Sequence, residues 1–536
     1  MLSAGRLRST TRLRSAAAVR SCCRAVHSGR ATPEATRLYA DRFPNLATAT
    51  VPKKGWTVSQ AGFGGYRVKQ GVAMHGEALS SALSAGINVM DTSSHFENGD
   101  SERLIGTVLS EKVKQGELAR ESVVIITKAG YLMSPKNAAP RYPFEHAVVA
   151  DRVAHSIAPE FLEREITASL QRLGLETIDV FMLNNPERLL IDKRFELPQV
   201  YECIARAAQH LDKEVERGRI ASYGLCSNSL PNRSAHDHIS LPQILASMHD
   251  LQANHSQNFV AIEYPFNIFE HDAYDRWFDG AESLMECASI NRLFQFCHRP
   301  IMAIANGSIR VLSTNLGISV DEEPTVVQTL SEAFETVSQL ELALPELLGG
   351  TSDDTALVAK FVWGQVLSDN LTRLSQNMFA AKHYLQRQVF PALERDIQIL
   401  LEESQGAQNE ADIVRWAGLY QKHYRELEAA FLNLSAVSLV RANTDLARIL
   451  GATAQPDSIL SESDPLAATA IRMTRSALAA SAALPEDQAD SDRSQEGCVL
   501  VGMRNPKYVP DVIKALSDPV LKPDAVDRIL QSAALA

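Results

Sequence analysis

Short apolar segments alternate with amphipathic segments along most of the chain, and this alternation limits the fold more than any other feature of the sequence. From about residue 58 the apolar segments have the length of buried strands, and the segments between them have helical periodicity. The apolar segments lie near residues 60, 90, 125, 181, 224, 261, 302 and 500. Eight parallel strands with intervening helices are the number that closes a (β/α)8 barrel, or TIM barrel. We therefore predict this α/β fold.

Nearly two hundred residues separate the seventh apolar segment from the eighth. We place strand seven at Pro300–Ala305 and strand eight at Cys498–Gly502. Between them, residues 311–460 are rich in Leu, Ala, Glu and Gln and keep a long helical periodicity. This predicts a helical insertion after a barrel portion at residues 55–310, with residues 461–536 completing the barrel. An open doubly wound sheet is the alternative, but Gly62–Gly65 lacks the GxGxxG spacing of such sheets.

The first thirty residues differ in composition from the rest of the chain. They contain no Asp or Glu, many Ser and Ala residues, and seven arginines, Arg6, Arg8, Arg12, Arg14, Arg20, Arg24 and Arg30. Such a start is typical of a mitochondrial transit peptide. We therefore predict a mitochondrial matrix protein in which residues 1–45 form the presequence and a disordered arm, with cleavage between Arg24 and Arg37. A plastid address or a plain basic tail would have a similar composition.

The remaining chain is acidic, because the formal net charge of −11 becomes −18 once the seven arginines are removed. This charge argues against nonspecific binding to nucleic acid or anionic membranes. No apolar run approaches the roughly 20 residues that cross a bilayer. The seven cysteines have no CxxC pair and no framework spacing. They indicate neither a zinc ribbon nor a disulfide scaffold, and we expect no metal site.

Several segments resemble the motifs of aldo-keto reductases, in the order and with the spacing of that family. The matching segments are Gly62–Arg67, Asp91–Glu102 (DTAxxYGNGxSE in the family), Ile125–Lys128, Ser169–Gly174 with Ile178–Asn184 (SLKRLG and IDLYLLH), Gly218–Asn228 (GKIRxxGVSN), Ala261–Tyr264 (QVEYN) and Val501–Pro506. Together they cover about residues 58–310 and 465–520. The resemblance implies an NAD(P)-dependent oxidoreductase that transfers hydride to a small carbonyl or sugar substrate.

The resemblance also implies four site residues at the C-terminal ends of the barrel strands. In the family a Tyr donates a proton, an Asp and a Lys lower its pKa, and a His orients the substrate. Asp91 and Lys128 occupy two of these positions, but Phe96 stands at the Tyr position and Asn184 at the His position. Losing a positioned general acid costs about 10²–10⁴-fold in rate. Asn184 can still hydrogen-bond a carbonyl oxygen.

By the same resemblance, Ser227 and Asn228 would hold the carboxamide of NADP or NAD. The Gln that should join them is replaced by Ala261, and the aromatic residue expected against the nicotinamide falls near Ile304. A last loop would meet the adenosine ribose or its 2′-phosphate, for which a guanidinium is well suited. The cofactor-binding residues expected in that loop are Gly502, Met503, Arg504 and Asn505.

Two neighbouring side chains are candidates to replace the missing proton donor. His95 precedes Phe96, but along an extended segment it would point to the opposite side; Tyr131 lies three residues beyond Lys128. Two functions therefore stay open. One is an oxidoreductase of altered mechanism that uses Asn184 or another group. The other, favoured by the loss of the donor, is a catalytically silent barrel that binds a nucleotide, or a protein partner through residues 311–460.

Overall fold

Eight parallel strands close into a barrel in the order in which they occur along the chain. The computed structural model describes residues 27–134, 141–251, 255–276, 282–305, 308–313, 316–349, 358–375, 377–453, 460, 464–482 and 497–533. Barrel strands one to eight are Ala61–Gly64, Val89–Asp91, Val124–Ala129, Val180–Asn184, Tyr223–Cys226, Phe259–Pro265, Phe294–His298 and Cys498–Val501. The predicted fold class, a barrel with a helical insertion between strands seven and eight, is confirmed.

The position predicted for strand seven is wrong. Phe294–His298 pairs with strands six and eight, whereas Met302–Ala305 forms an antiparallel hairpin with Ser308–Val311 outside the barrel. The true strand was hidden because Gln295 interrupts its apolar pattern. That side chain is nevertheless buried, since it accepts a hydrogen bond of 2.6 Å from the Tyr264 hydroxyl and donates to a backbone carbonyl and a serine. A fully hydrogen-bonded polar side chain is compatible with burial.

Amphipathic helices cover the outside of the barrel. They are Ala73–Ser84, Asp100–Lys114, Pro159–Leu173, Leu197–Glu216, Leu241–Asp250, Leu284–Ile290, Leu466–Ala482, Val509–Ser517 and Pro523–Ala533. Leu197–Glu216 illustrates their construction, because Glu196 and Gln199 cap its start and Ile204 and Leu211 lie on its buried face. Burying each such side chain contributes about 1.5–3 kcal/mol.

The N-terminal end of the barrel is closed by a hairpin, Thr48–Val51 and Trp56–Ser59, whose apolar side chains continue the barrel interior. Ahead of it lies the helix Pro33–Ala40, which Thr32 caps and whose Tyr39 is buried. Residues 27–45 were expected to belong to a disordered arm, and the structure corrects this prediction. They are ordered because they are bonded to the barrel, for example through a 2.6 Å bond from the Ala31 amide to Asp179. Residues 1–26 lie outside the described residues.

Several short elements surround the opposite, C-terminal end of the barrel, which we call the mouth. A three-stranded antiparallel sheet, Tyr131–Met133, Ala147–Ala150 and Val153–His155, follows strand three and was not predicted. Short helical segments of the described barrel region include Phe96–Gly99, Arg120–Ser122, Pro186–Ile191, His255–Asn258 and Pro506–Tyr508. Three of these segments follow barrel strands two, four and eight and therefore belong to the mouth. They are, in that order, Phe96–Gly99, Pro186–Ile191 and Pro506–Tyr508.

The insertion forms a helical region with its own apolar core. Its helices are Glu323–Leu347, Trp363–Asp369, Leu371–Ser375, Met378–Tyr384, Phe390–Glu403 and Glu410–Thr453, with a 3-10 turn at Val320–Glu322 and a π-turn at Leu385–Val389. The 44-residue helix Glu410–Thr453 joins the two parts, because its first half packs in this core while Leu446 and Leu450 pack in the core of the barrel. None of the helices within the described ranges is both long and apolar enough to span a membrane.

Candidate active site at the barrel mouth

A buried ion cluster lies at the mouth. Asp91 ends strand two, Lys128 lies in strand three and Glu263 in strand six, and all three are at most 5% exposed. The Lys128 ammonium donates to Asp91 Oδ1 and, at 2.8 Å, to Glu263 Oε2. The structure thus brings together Asp91 and Lys128, as expected from the sequence. It adds a second carboxylate whose role the sequence did not reveal.

The cluster has two carboxylates for one ammonium, and this imbalance governs its protonation. Burial raises the pKa of Asp91, and the nearby Glu263 carboxylate raises it further. Lys128 lowers this pKa but only partly offsets the two effects, so the pKa is about 7. Burial alone would lower the pKa of Lys128, but the two carboxylates outweigh it and hold the pKa above its ordinary value. Lys128 is therefore a fixed cation at neutral pH, and Asp91 is the group that takes up a proton.

Phe96 covers the cluster from the side of the mouth. Its ring centroid lies 5.6 Å from Lys128 Nζ, and the ring of Tyr66 packs on it edge-on at 5.3 Å. A cation over an aromatic face is stabilised by the ring quadrupole. The ring therefore interacts with Lys128 as a phenol at this position would, but it has no hydroxyl. Phe96 is held here by a strained turn in which Glu97 and Asn98 both have positive φ.

His95 does not point away from the site as the sequence reasoning assumed, because its backbone is helical rather than extended. Its ring contacts Phe96 and Tyr131 with centroids 4.9 Å away. Ser93 Oγ donates its one proton to the Lys128 carbonyl and lies 2.7 Å from His95 Nδ1, so Nδ1 carries the hydrogen of the neutral ring. Burial, with Lys128 and His155, lowers the His95 pKa to about 4. At neutral pH its Nε2 is an acceptor and has no proton to donate.

Tyr131 is also unsuited to donate a proton at the cluster. Its hydroxyl bonds the Arg188 side chain, and burial raises its pKa. Its ring packs edge-on against His155, whose Nε2 donates to the Asn184 carbonyl at 2.7 Å. The side-chain amide of Asn184, in contrast, makes no hydrogen bond within the described part of the chain, and the residue is 4% exposed. Asn184 therefore keeps an amide for a ligand in the mouth.

Other motif residues hold the loops of the mouth in place. Glu102 is fully buried, accepts a 2.6 Å bond from the Thr127 hydroxyl and pairs with Arg172. This ion pair ties the helix Asp100–Lys114, which directly follows the turn with Phe96, to the helix after strand three. At the other end of the barrel, Asp179 pairs with Arg120 at 2.8 Å. Both acids thus have structural partners rather than a place in the site.

The residues expected at the nicotinamide carboxamide are only partly available. Ser227 is buried, and its Oγ accepts from two backbone amides of the turn that follows it. The Asn228 side chain is exposed, while its backbone N–H donates to Glu187 Oε1 at 3.1 Å. Glu187 is a buried acid that the sequence did not single out; burial raises its pKa to about 7, and its Oε2 has no partner within the described residues. Ala261 lines the barrel interior and offers no polar group.

The last loop follows strand eight at the same mouth. Gly502 and Arg504 are exposed, and Arg504 forms no ion pair within the residues described here. Met503 is fully buried in the barrel core, so its side chain does not reach the loop surface. Asn505 caps the turn that follows by accepting from the Lys507 amide at 3.0 Å. Ile304, expected near the nicotinamide, is 45% exposed in the hairpin outside the barrel, which corrects that expectation.

Comparison with known proteins agrees with the motif pattern of the barrel. Residues 62–279 match the model of the aldo/keto reductase family. Over 177 residues the chain is 28% identical to the NADH-specific methylglyoxal reductase of Escherichia coli, a match of 31% of this chain and 48% of that protein. It is 31% identical over 160 residues to the D-threo-aldose 1-dehydrogenase of a Pseudomonas species, a match of 28% and 42%. Residues 62–279, which form most of the barrel, thus resemble the aldo/keto reductase family.

The matched segments cover less than half of the length of both relatives. Among solved structures, an aldo-keto reductase from Bacillus halodurans superposes with a TM-score of 0.43 at 12% identity, over 92% of this chain and 97% of that one. In this barrel, Asp91 and Lys128 lie at two of the four positions expected from the family resemblance, and Phe96 and Asn184 occupy the two remaining positions. Glu263 and Glu187 were missed because each became recognisable only through its neighbours in space.

Proposed function

We propose that this aldo/keto reductase barrel binds a nicotinamide dinucleotide at its mouth and has lost the proton-coupled carbonyl reduction typical of the family. One observation carries the proposal: the ring above Lys128 is that of Phe96, and it has no hydroxyl. Lys128 itself stays charged and bonded to two carboxylates. A carbonyl oxygen placed over this cluster would meet a hydrocarbon ring where the family offers an acid.

The residues of the mouth fit a dinucleotide in part. Arg504 is exposed and has no ion-pair partner among the described residues, so it could take a phosphate. A Cβ added at Gly502 would meet nothing within 4 Å, so the surface beside it is open. At the other end, the Glu187 carboxylate lies behind the turn formed by Ser227 and Asn228, and it accepts a hydrogen bond from the Asn228 backbone amide. That turn would hold the carboxamide without the help of a Gln. A bound nicotinamide dinucleotide would supply a hydride.

An active oxidoreductase of altered mechanism is the second candidate, and one observation favours it. The side-chain amide of Asn184 has no hydrogen-bond partner among the described residues, and the residue is 4% exposed, so the amide could donate a hydrogen bond to a carbonyl oxygen. Such a bond polarises the carbonyl but transfers no proton. Its substrate would be a small carbonyl or a sugar, as the names of the two relatives indicate for those proteins.

Nucleotide titration tests the proposal directly. Purified residues 27–536 are titrated with NADPH and NADH by fluorescence, and we expect saturable binding. Arg504→Ala should weaken NADPH binding by about tenfold and NADH binding less, because only NADPH has the 2′-phosphate. Lys507→Ala, a nearby exposed cation, is the matched control. If neither nucleotide binds, the proposal fails and the scaffold function, with a protein docked on residues 311–460, gains support.

We also propose that the protein works in the mitochondrial matrix. The support is the composition of residues 1–30, together with the ordered helix Pro33–Ala40. Because that helix packs on the barrel, we expect the mature chain to begin before Thr32. Mass spectrometry of the N-terminus from isolated mitochondria would measure this. A mature chain that keeps Met1, or a protein absent from that fraction, would contradict the proposal.

A further inference from the structure

Three side chains of different chemistry converge in the barrel just beside Lys128. The ligand atoms of Cys226, Glu263 and His298, a thiol, a carboxylate and an imidazole, all lie within 4.8 Å of one another. Among the described residues this is the one group of three or more such side chains that close together. Of the three, Glu263 also belongs to the ion cluster with Lys128, whereas Cys226 and His298 have no role in the site described so far.

The barrel explains why these residues meet. They lie on the consecutive strands five, six and seven, at or near the C-terminal end of each. Side chains alternate along a strand, and Phe294 and Phe296 point into the barrel, so His298 points the same way. Cys226 belongs to the same interior cluster and is 4% exposed. The three donors are therefore held by three neighbouring, hydrogen-bonded strands of the barrel.

Each donor keeps an atom for a ligand. Glu263 gives Oε2 to Lys128, which leaves Oε1 without a hydrogen bond in the described part of the chain. Cys226 has a weak contact of 3.9 Å to Asn185 Oδ1, and the ring of His298 makes no hydrogen bond with any described residue. A bound cation would give these remaining ligand atoms a common partner.

We propose that Cys226, Glu263 and His298 bind a divalent transition-metal ion of the zinc type inside the barrel mouth. Thiolate, imidazole and carboxylate are the ligands that Zn²⁺ takes in proteins. Three protein ligands with a further position open are the arrangement of catalytic rather than structural zinc sites. This site goes beyond the proposed nucleotide binding, does not depend on it, and revises the expectation of no metal drawn from cysteine spacing.

The formal charges agree with a bound cation. With both carboxylates ionised and no metal bound, Asp91, Glu263 and Lys128 sum to −1, since two carboxylates face one ammonium. A divalent ion that displaces the thiol proton of Cys226 adds two positive charges and one negative charge, and the sum becomes zero. The neighbouring ammonium repels the metal, but it bonds Glu263 through Oε2, and Oε1 has no hydrogen bond in the described part of the chain.

Cobalt titration tests the site, because Co²⁺ replaces Zn²⁺ and its thiolate complexes absorb strongly in the near ultraviolet. The full chain with Cys22→Ala and Cys23→Ala is stripped with a chelator and titrated with Co²⁺ alone. We expect a thiolate-to-cobalt band that saturates at one ion per chain and disappears when Zn²⁺ is added. Absence of the band in the folded protein overturns the proposal.

Two variants locate the ion. Cys226→Ala should abolish the band, whereas Cys498→Ala, another buried cysteine of the barrel interior, should keep it. A band that survives Cys226→Ala, or that Cys498→Ala alone removes, overturns the assignment. If Cys226→Ala does not fold, His298→Gln decides, because this residue is partly exposed. This variant keeps the Cys226 thiolate, so it should keep the band. Substituting a residue that only orients a metal ligand weakens metal binding roughly 10–100-fold, and removing the ligand His298 should weaken Co²⁺ binding more than that. Unchanged affinity rejects the site.

Discussion

Lys128 compensates two buried carboxylates at once, and this makes it important for stability as well as for the site. Lys128→Met would leave Asp91 and Glu263 buried without their cation. Breaking a buried ion pair by removing one partner costs about 3–5 kcal/mol. We expect a loss of this size in the free energy of unfolding measured with urea. Lys69→Met, which removes a half-exposed partner of Glu97, should change it little; equal effects of the two variants would contradict the structure.

Glu187 should make stability depend on pH in an unusual direction. Its pKa is raised from 4.5 to about 7 by burial, so the folded protein holds this proton more tightly than the unfolded chain. The stabilisation is complete below pH 4.5 and is lost as the pH rises through 7. Glu187→Gln should therefore be more stable than the wild type at pH 8, by up to about 3 kcal/mol.

Unfolding at pH 4 provides the internal control for Glu187. Both proteins carry an uncharged side chain there, so their free energies of unfolding should nearly agree. A variant that is less stable than the wild type at pH 8 would show that the carboxylate has a partner in the folded protein.

The positions of Asp91, Lys128, Phe96 and Asn184 could be predicted because each follows a motif of fixed spacing. Glu263 and Glu187 could not. The significance of Glu263 depends on a strand register that places it against Lys128, 135 residues earlier. Glu187 lies in a polar stretch typical of a surface loop, and its burial depends on the turn that packs over it. His95 was misjudged because a helical turn replaces the extended backbone that was assumed.

At the scale of elements, the hairpin Met302–Val311 is secured by the long helix of the insertion. Asn443 is fully buried, and its amide donates to the Val311 and Ser313 carbonyls at 2.6 and 2.8 Å. Asn443→Ala would leave both carbonyls without these bonds, at a cost of about 1–3 kcal/mol. We expect faster hydrogen exchange in residues 308–313.

Thr444→Ala is the control for Asn443, because the Thr444 hydroxyl bonds only within its own helix. If exchange in the hairpin responds equally to both substitutions, the hairpin is not secured by Asn443.

The same hairpin shows the limit of prediction for elements: its apolar strand was taken for barrel strand seven. Periodicity identifies strands, and only pairing tells which of them close the barrel.

At the scale of the molecule, the closed barrel and the helical insertion follow from the number and spacing of apolar segments. The separate core of the insertion also follows, because a helical face of that length must be buried. The sequence did not reveal that one helix spans both cores, nor that a hairpin closes the N-terminal end of the barrel. These contacts join segments far apart in the chain, and local pattern contains no information about them.

A single-turnover experiment tests the central claim most directly. The NADPH-loaded wild type and the variant Phe96→Tyr with Asn184→His are mixed with methylglyoxal or an aldose, and the decay of NADPH fluorescence is followed. We expect the wild type to oxidise NADPH no faster than buffer does, and the variant to gain about 10²-fold or more, because a phenol restores the proton donor. Turnover by the wild type that Lys128→Met abolishes would show that another group donates the proton, and would contradict the account.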